Sequence, residues 1–230
     1  RSASALIALY DTPRSASDMW ACSVFLYSTE HCGADCPFTA GNQYQITLRA
    51  TDSYWNRTAD NMQVGLVSND LYASTPAWST LIISAGEKVT TIPDAFIPRT
   101  ATTTATGGPG LALTLTDEQF FALATATASG FTVNAKPFAK VMTLLPGETH
   151  VPGKPPFDTG VTGGRNSPYP AVSTAVPAGA PMQFTVKAVD QFWNPVSVSS
   201  EVGMNSSDSL ASIPTPILTL ENGATAFAFT

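Results

Sequence analysis

Four side chains able to bind a soft metal or to form a disulfide crowd together early in the chain: Cys22, His31, Cys32 and Cys36. By residue type they make a Cys3His zinc donor set, yet the C-x9-C-x3-C spacing lacks the C-x2-C knuckle of structural zinc sites. The ordinary use of such cysteines in a secreted chain is a disulfide, and the expectation is that Cys22 pairs with Cys32 or Cys36. Three cysteines leave one odd, whose partner is expected in sequence beyond this stretch or in another subunit. A thiol assay finding all three free and reactive contradicts the pairing.

A second pattern occurs twice. Asp52 with Asn56, and Asp190 with Asn194, share a D-x-x-x-N spacing in D-S-Y-W-N and D-Q-F-W-N. Two oxygen-bearing side chains at that spacing raise the question of calcium, but a calcium loop needs several more oxygen ligands nearby, and none follows the pattern of an EF-hand. The other reading is that Asp and Asn side chains hold the tight turn that leaves a strand. Between them lie Tyr54, Trp55, Phe192 and Trp193. These aromatics read as core or turn plugs, with a sugar-stacking platform as the rival. Asn56-Arg57-Thr58 and Asn205-Ser206-Ser207 fit the N-x-[ST] acceptor for N-glycosylation, and Asn56 sits on a turn.

Catalytic and cofactor signals are absent from the motifs. The only histidines are His31 and His150, and the chain holds no G-x-S-x-G elbow, no H-E-x-x-H and no phosphate-cradling glycine loop. The expectation is a chain without cofactor or resident metal and not an enzyme. Charged residues are 12% of the chain, about half the usual share. The formal charge of −6 is spread thinly, with no cluster of Lys or Arg, so nucleic acid is not an expected partner. No apolar run is long enough for a membrane span. Hydrophobic residues at 43% nonetheless supply ample core, so the chain should fold.

The elements that carry these residues are written twice. Residues 40–56, AGNQYQITLRATDSYWN, return as residues 178–194, AGAPMQFTVKAVDQFWN, at an offset of 138. Val64-Gly65, Asp70, Ala73 and Pro76 recur at the same offset, and Gly86 recurs as Gly223 with one residue deleted. Leu6-Ile7 falls onto Leu144-Leu145. Tyr44, Ile46, Leu48 and Ala50 become Met182, Phe184, Val186 and Ala188, all apolar, whereas Gln45, Thr47 and Arg49 become Gln183, Thr185 and Lys187, all polar. Strict alternation of this kind predicts a strand with one face on a core and one in water. Further strands are expected at 64–67, 80–83, 88–92, 111–116, 130–134 and 139–145, with Asp117 as a candidate cap for one helical turn over 117–123 or the start of a bulged loop. Short strands at this spacing favour an all-β, two-sheet Greek-key sandwich.

The repeat places one unit at 1–138, with a cysteine-containing insertion at about 11–39, and a second at 139–230. The second begins with a Pro/Gly-rich stretch, 146–181, holding eight prolines and read as linker and first loops. It reaches Thr230 after 92 residues, about 46 short of the full pattern, so it is expected to be incomplete and to expose a sheet edge.

At the motif A-G-x-x-[YM]-x-[IF]-T-[LV]-x-A-x-D-x-[YF]-W-N, and at Leu144-Leu145-Pro146-Gly147-Glu148, the chain resembles immunoglobulin-like repeats of large bacterial surface proteins and of algal flagellar-hair (mastigoneme) glycoproteins. The resemblance implies tandem immunoglobulin-like β-sandwiches at the cell surface or in an extracellular filament. Its implied partners are neighbouring repeats of the same protein in a homo-oligomeric or filamentous assembly, with glycans as a further class. An adhesin or carbohydrate-binding module is the alternative, and a spacer of a secreted enzyme a more distant one.

Overall fold

The computed structural model describes residues 21–27, 38–51, 56, 58–59, 61–74, 81–89, 96–102, 110–117, 126–158, 162–166 and 177–230. Among these the regular structure is entirely β, and no helix is long and apolar enough to cross a membrane. The chain divides into two compact units: residues 1–98 with 109–133, and residues 99–108 with 134–230. The backbone therefore passes from one unit to the other three times, at 98/99, 108/109 and 133/134. A boundary at 138/139 would have given residues 99–108 to the first unit.

The first unit carries β1 (Ala21–Tyr27), β2 (Phe38–Thr39), β3 (Gln45–Thr51), β4 (Met62–Ser68), β5 (Leu81–Ile83), β6 (Glu87–Val89), β7 (Leu111–Asp117) and β8 (Ala126–Phe131), with β9 (Val133–Asn134) at its end. One sheet has the order β1-β3-β6 and a second the order β5-β4-β7-β8, every pairing antiparallel. Alternate residues supply the core: Ile46, Leu48 and Ala50 from β3, Val64 and Leu66 from β4, and Leu111, Leu113 and Leu115 from β7 are all buried. Asp117 ends β7 opposite Val64, and the turn that it is expected to cap, 118–123, lies outside the described residues.

The second unit carries β10 (Lys140–Leu144), β11 (Thr149–His150), β12 (Arg165–Asn166), β13 (Met182–Val189), β14 (Glu201–Gly203), β15 (Ile217–Thr219) and β16 (Ala224–Phe229). Its main sheet runs β10-β13-β16, with β14-β15 and β11-β12 as two-stranded ladders. Val186, Ala188, Leu220 and Phe227 form one cluster of buried residues; Met142, Leu144, Val189 and Trp193 form another on the opposite face of the sheet.

The two units repeat each other atom for atom at several turns. Ala50 N donates to Gly86 O at 3.0 Å, and Ala188 N to Gly223 O at 2.7 Å. Thr58 N donates to Ala50 O, and Val196 N to Ala188 O, both at 3.0 Å. Gly86 and Gly223 have φ of 79° and 82°, and a Cβ on either would run into a backbone carbonyl, that of Thr58 or of Val196. A residue with a side chain would meet both penalties, so glycine is required there. Asp70 and Asp208 make the same Asx turns, accepting from Tyr72 N and Leu210 N respectively.

One element departs from the repeat. The strand beside β3 is β1, with Val24 opposite Leu48, whereas the strand beside β13 is β10, with Thr143 opposite Val186. Thus β1 fills the place of β10 although it starts far later in its own unit, and Cys22 stands in a main-sheet strand opposite Ala50, not in an insertion. Ala21–Tyr27 has the composition of a strand and supplies a full-length partner for β3. Leu6 and Ile7, aligned above with Leu144 and Leu145, lie outside the described residues.

Candidate functional site

The turn after β13 gathers the second D-x-x-x-N pattern into one buried point. Asp190 and Asn194 are each 0% exposed. Asp190 Oδ1 accepts from Phe192 N at 2.8 Å and Asn194 N at 2.9 Å, which closes the turn locally. Its Oδ2 accepts from Lys136 N and from Asn194 Nδ2, both at 2.9 Å. Asn194 then reaches much further along the chain: Nδ2 donates to Arg99 O at 2.9 Å, and Oδ1 accepts from Ala101 N at 2.8 Å. The two side chains bind the turn to two backbone segments that enter this unit, 99–101 and Lys136.

The chemistry of this cluster follows from its donors. Every group aimed at the Asp190 carboxylate is an N–H, and such a shell satisfies an anion and gives a cation nothing to bind. Among the described residues no group of three or more His, Cys, Asp or Glu side chains is placed to hold a metal ion.

The aromatics are packed into the same turn. Trp193 adopts φ of 69° and is 3% exposed; Phe192 is 6% exposed. Trp193 Nε1 donates to Pro156 O at 2.7 Å, and its carbonyl accepts from His150 Nε2 at 2.7 Å. A Cβ on Gly164 would strike the indole ring, so the Pro/Gly-rich segment lies directly on it. Lys140 Nζ stands 3.3 Å from the ring centroid of Trp193 and donates to Phe157 O at 2.9 Å. Arg99 Cζ lies 4.7 Å from the Phe192 centroid and 5.3 Å from that of Phe157, and the two phenylalanine rings meet edge to face at 5.1 Å. The described parts of 146–166 are therefore the lid of this core and not a linker. Their prolines and glycines let the backbone come close enough to cover an indole.

Burial shows in the titrating groups. His150 is pushed down to about 4, first by desolvation, with Lys187 and Arg165 adding to it and the Trp193 carbonyl and Asp190 opposing. Lys140 is lowered from the usual lysine value, again first by burial, against the pull of Asp190 and Asp158.

The other sites expected from the sequence are less connected. His31, Cys32, Cys36, Asp52, Tyr54 and Trp55 lie outside the described residues. Asn56 and Asn205, the acceptor residues of the two glycosylation triplets, are exposed, and Arg57 lies outside the described residues. Arg99, Lys136, Lys140 and His150 were not singled out by sequence reasoning. The hydrogen bonds of Arg99 and Lys136 to Asn194 and Asp190 use backbone atoms that other residue types would also supply, so the sequence carries no sign of them. No family model and no curated protein matches this chain.

Proposed function

We propose that the chain is a non-catalytic structural module of a large extracellular protein, with its two units as immunoglobulin-like Greek-key sandwiches in tandem, building a surface appendage or filament. One observation carries this reading: the most chemically suggestive residues of the second unit are used up in holding backbone together. Both carboxylate oxygens of Asp190 and both side-chain polar atoms of Asn194 are engaged inside the fold. Trp193 and Phe192 turn no face to a ligand, which counts against them as a sugar platform. A low share of charge and a repeated, hydroxyl-rich sheet surface suit an extended scaffold. Electron microscopy of the native material tests the proposal: rods or filaments are expected, and monomeric, freely soluble particles would overturn it.

A further inference from the structure

The second unit turns the corner from β15 to β16 at Glu221-Asn222-Gly223-Ala224, and Asn222-Gly223 is the only Asn-Gly pair in the sequence. Glu221 N donates to Ala224 O at 2.9 Å and Ala224 N to Glu221 O at 3.1 Å, with φ of 51° at Asn222 and 82° at Gly223. Two central residues at positive φ make this a type I′ turn, for which Asn-Gly is a preferred pair. The first unit makes the same turn between β5 and β6 with Ala85-Gly86, at φ of 50° and 79°. Asparagine is therefore not needed to form the corner, and its chemistry sets the second unit apart from the first.

Asparagine followed by glycine is open to attack by its own backbone. The nitrogen of Gly223 gives up its proton and attacks Asn222 Cγ; the N–Cγ bond forms, the Cγ–Nδ2 bond breaks, and Nδ2 leaves as ammonia. Water then opens the five-membered imide. Breaking the new bond yields aspartate, and breaking the original peptide bond leaves the chain running through the side-chain carbonyl as isoaspartate. Only water and base enter the balance, and glycine lacks the side chain that would shield the attacking nitrogen. The folded corner obstructs this reaction in three ways. A type I′ turn gives its first central residue a ψ of about +30°. That sets Cβ and the next nitrogen on opposite sides of the Cα–C bond, whereas ring closure needs them on the same side. Gly223 is buried and its N–H donates to Val198 O at 2.9 Å, which keeps the proton from base. Gly223 O accepts from Ala188 N at 2.7 Å, so both ends of the residue are held. Asn222 itself is exposed, and the restraint on it is that of the backbone.

We propose that Asn222-Gly223 is a deamidation site gated by the fold: inert while the corner is closed, and converted to aspartate and isoaspartate in chains whose second unit has opened. For the fold, isoaspartate is a one-way product. It adds an atom to the backbone of a two-residue turn and displaces Gly223 from a place so tight that a single Cβ would strike Val196 O. β16 begins at the next residue, with Ala224 opposite Lys187 and Phe229 opposite Met182, so the shift is carried into the main sheet. Phe227 of the same strand is 1% exposed in the core, and it moves with its strand. The fraction of isoaspartate in a sample thus records how long its second units have stood open. The first unit, with alanine at its corner, keeps no such record there. The proposal rests on the turn alone and does not depend on filament assembly.

The test incubates the full 230-residue chain in mildly alkaline buffer and follows residue 222 by proteolytic digestion and mass spectrometry, with electron-transfer fragmentation to tell isoaspartate from aspartate. A synthetic peptide carrying residues 217–229 is the open reference. Conversion in the folded chain is expected to be at least tenfold slower than in the peptide, and to rise to the peptide's rate in urea that unfolds the second unit. Asn222→Ala copies the corner of the first unit and should give no conversion at this position. After long incubation in urea and dilution, the unaltered chain should regain less of its native tryptophan fluorescence as isoaspartate accumulates, whereas Asn222→Ala regains all of it. A folded chain that converts at the peptide's rate overturns the gating, and an absence of conversion in urea overturns the site. Full refolding of chains that carry isoaspartate overturns the one-way consequence. None of these results bears on the microscopy of native material, so the two proposals fall separately.

Discussion

Replacing Asp190 by Asn keeps the shape of the side chain and inverts the polarity of one of its two terminal atoms. If the remaining oxygen stays with Phe192 N and Asn194 N, the new NH2 group faces two donors, Lys136 N and Asn194 Nδ2. Asn194 cannot turn over to relieve this, because its own oxygen accepts from Ala101 N and its nitrogen also donates to Arg99 O. Two charge-assisted bonds are lost, worth about 1.5–3 kcal/mol each, and two buried donors lose an acceptor. Allowing for relaxation, the expected loss is about 3–5 kcal/mol, a large part of the 5–15 kcal/mol typical of a domain. The control is Asp208→Asn, whose carboxylate accepts from Leu210 N in an exposed turn and whose loss should cost under about 1 kcal/mol. Urea unfolding of the full chain, followed by tryptophan fluorescence, reads both. The Asp190 variant should lower the midpoint of the Trp193-reporting transition by about 2 M, given a slope near 2 kcal/mol per M. If the two variants fall within 1 kcal/mol of each other, the account of the buried turn is wrong.

Other expectations follow from single groups. His150 titrates near 4 in the fold and near 6.5 when unfolded, so the unfolded chain binds the extra proton between those values. Its contribution is complete above about pH 6.5 and is lost as pH falls towards 4, up to about 3 kcal/mol before discounting for residual solvent contact; His150→Gln should flatten that part of a stability-against-pH curve, and an unchanged slope refutes the assignment. Gly223→Ala should destabilise by about 3 kcal/mol, since it combines a φ of 82° with collision against Val196 O, whereas Gly179→Ala, with a similar φ of 79° and open space, should cost about 1 kcal/mol in the same urea assay. Passage through a eukaryotic secretory pathway should leave glycans on Asn56 and Asn205, both exposed, seen as a fall in intact mass on glycosidase treatment; an unchanged mass refutes it.

Much of the sheet structure can be read from residue order because it depends on local rules. The alternation from Met182 to Ala188 appears as β13, and the paired glycines Gly86 and Gly223 mark the same turn in both units. The surroundings of Asp190 could not be read in this way. Asn194 and Ala101 are 93 residues apart, and the bond between them uses a backbone amide that any residue but proline would offer. The cover over Trp193 was equally hidden, since a run of prolines and glycines looks like a linker until an indole is found beneath it. Ala21–Tyr27 shows the opposite failure: its strand composition was legible, but its distance from the repeat frame led to its reading as an insertion.

The three passages of the backbone between the units bear on how such a protein can be recombined. Neither unit is a continuous stretch of coding sequence, because 99–108 belongs with the second and interrupts the first. A crossover just after residue 98 parts β4 from the β7 it pairs with. One after residue 133 keeps that sheet whole but separates Arg99 and Ala101 from Asn194. A gene library cut at 98/99 or 133/134 should therefore return fewer folded products than one that leaves both of these joints intact.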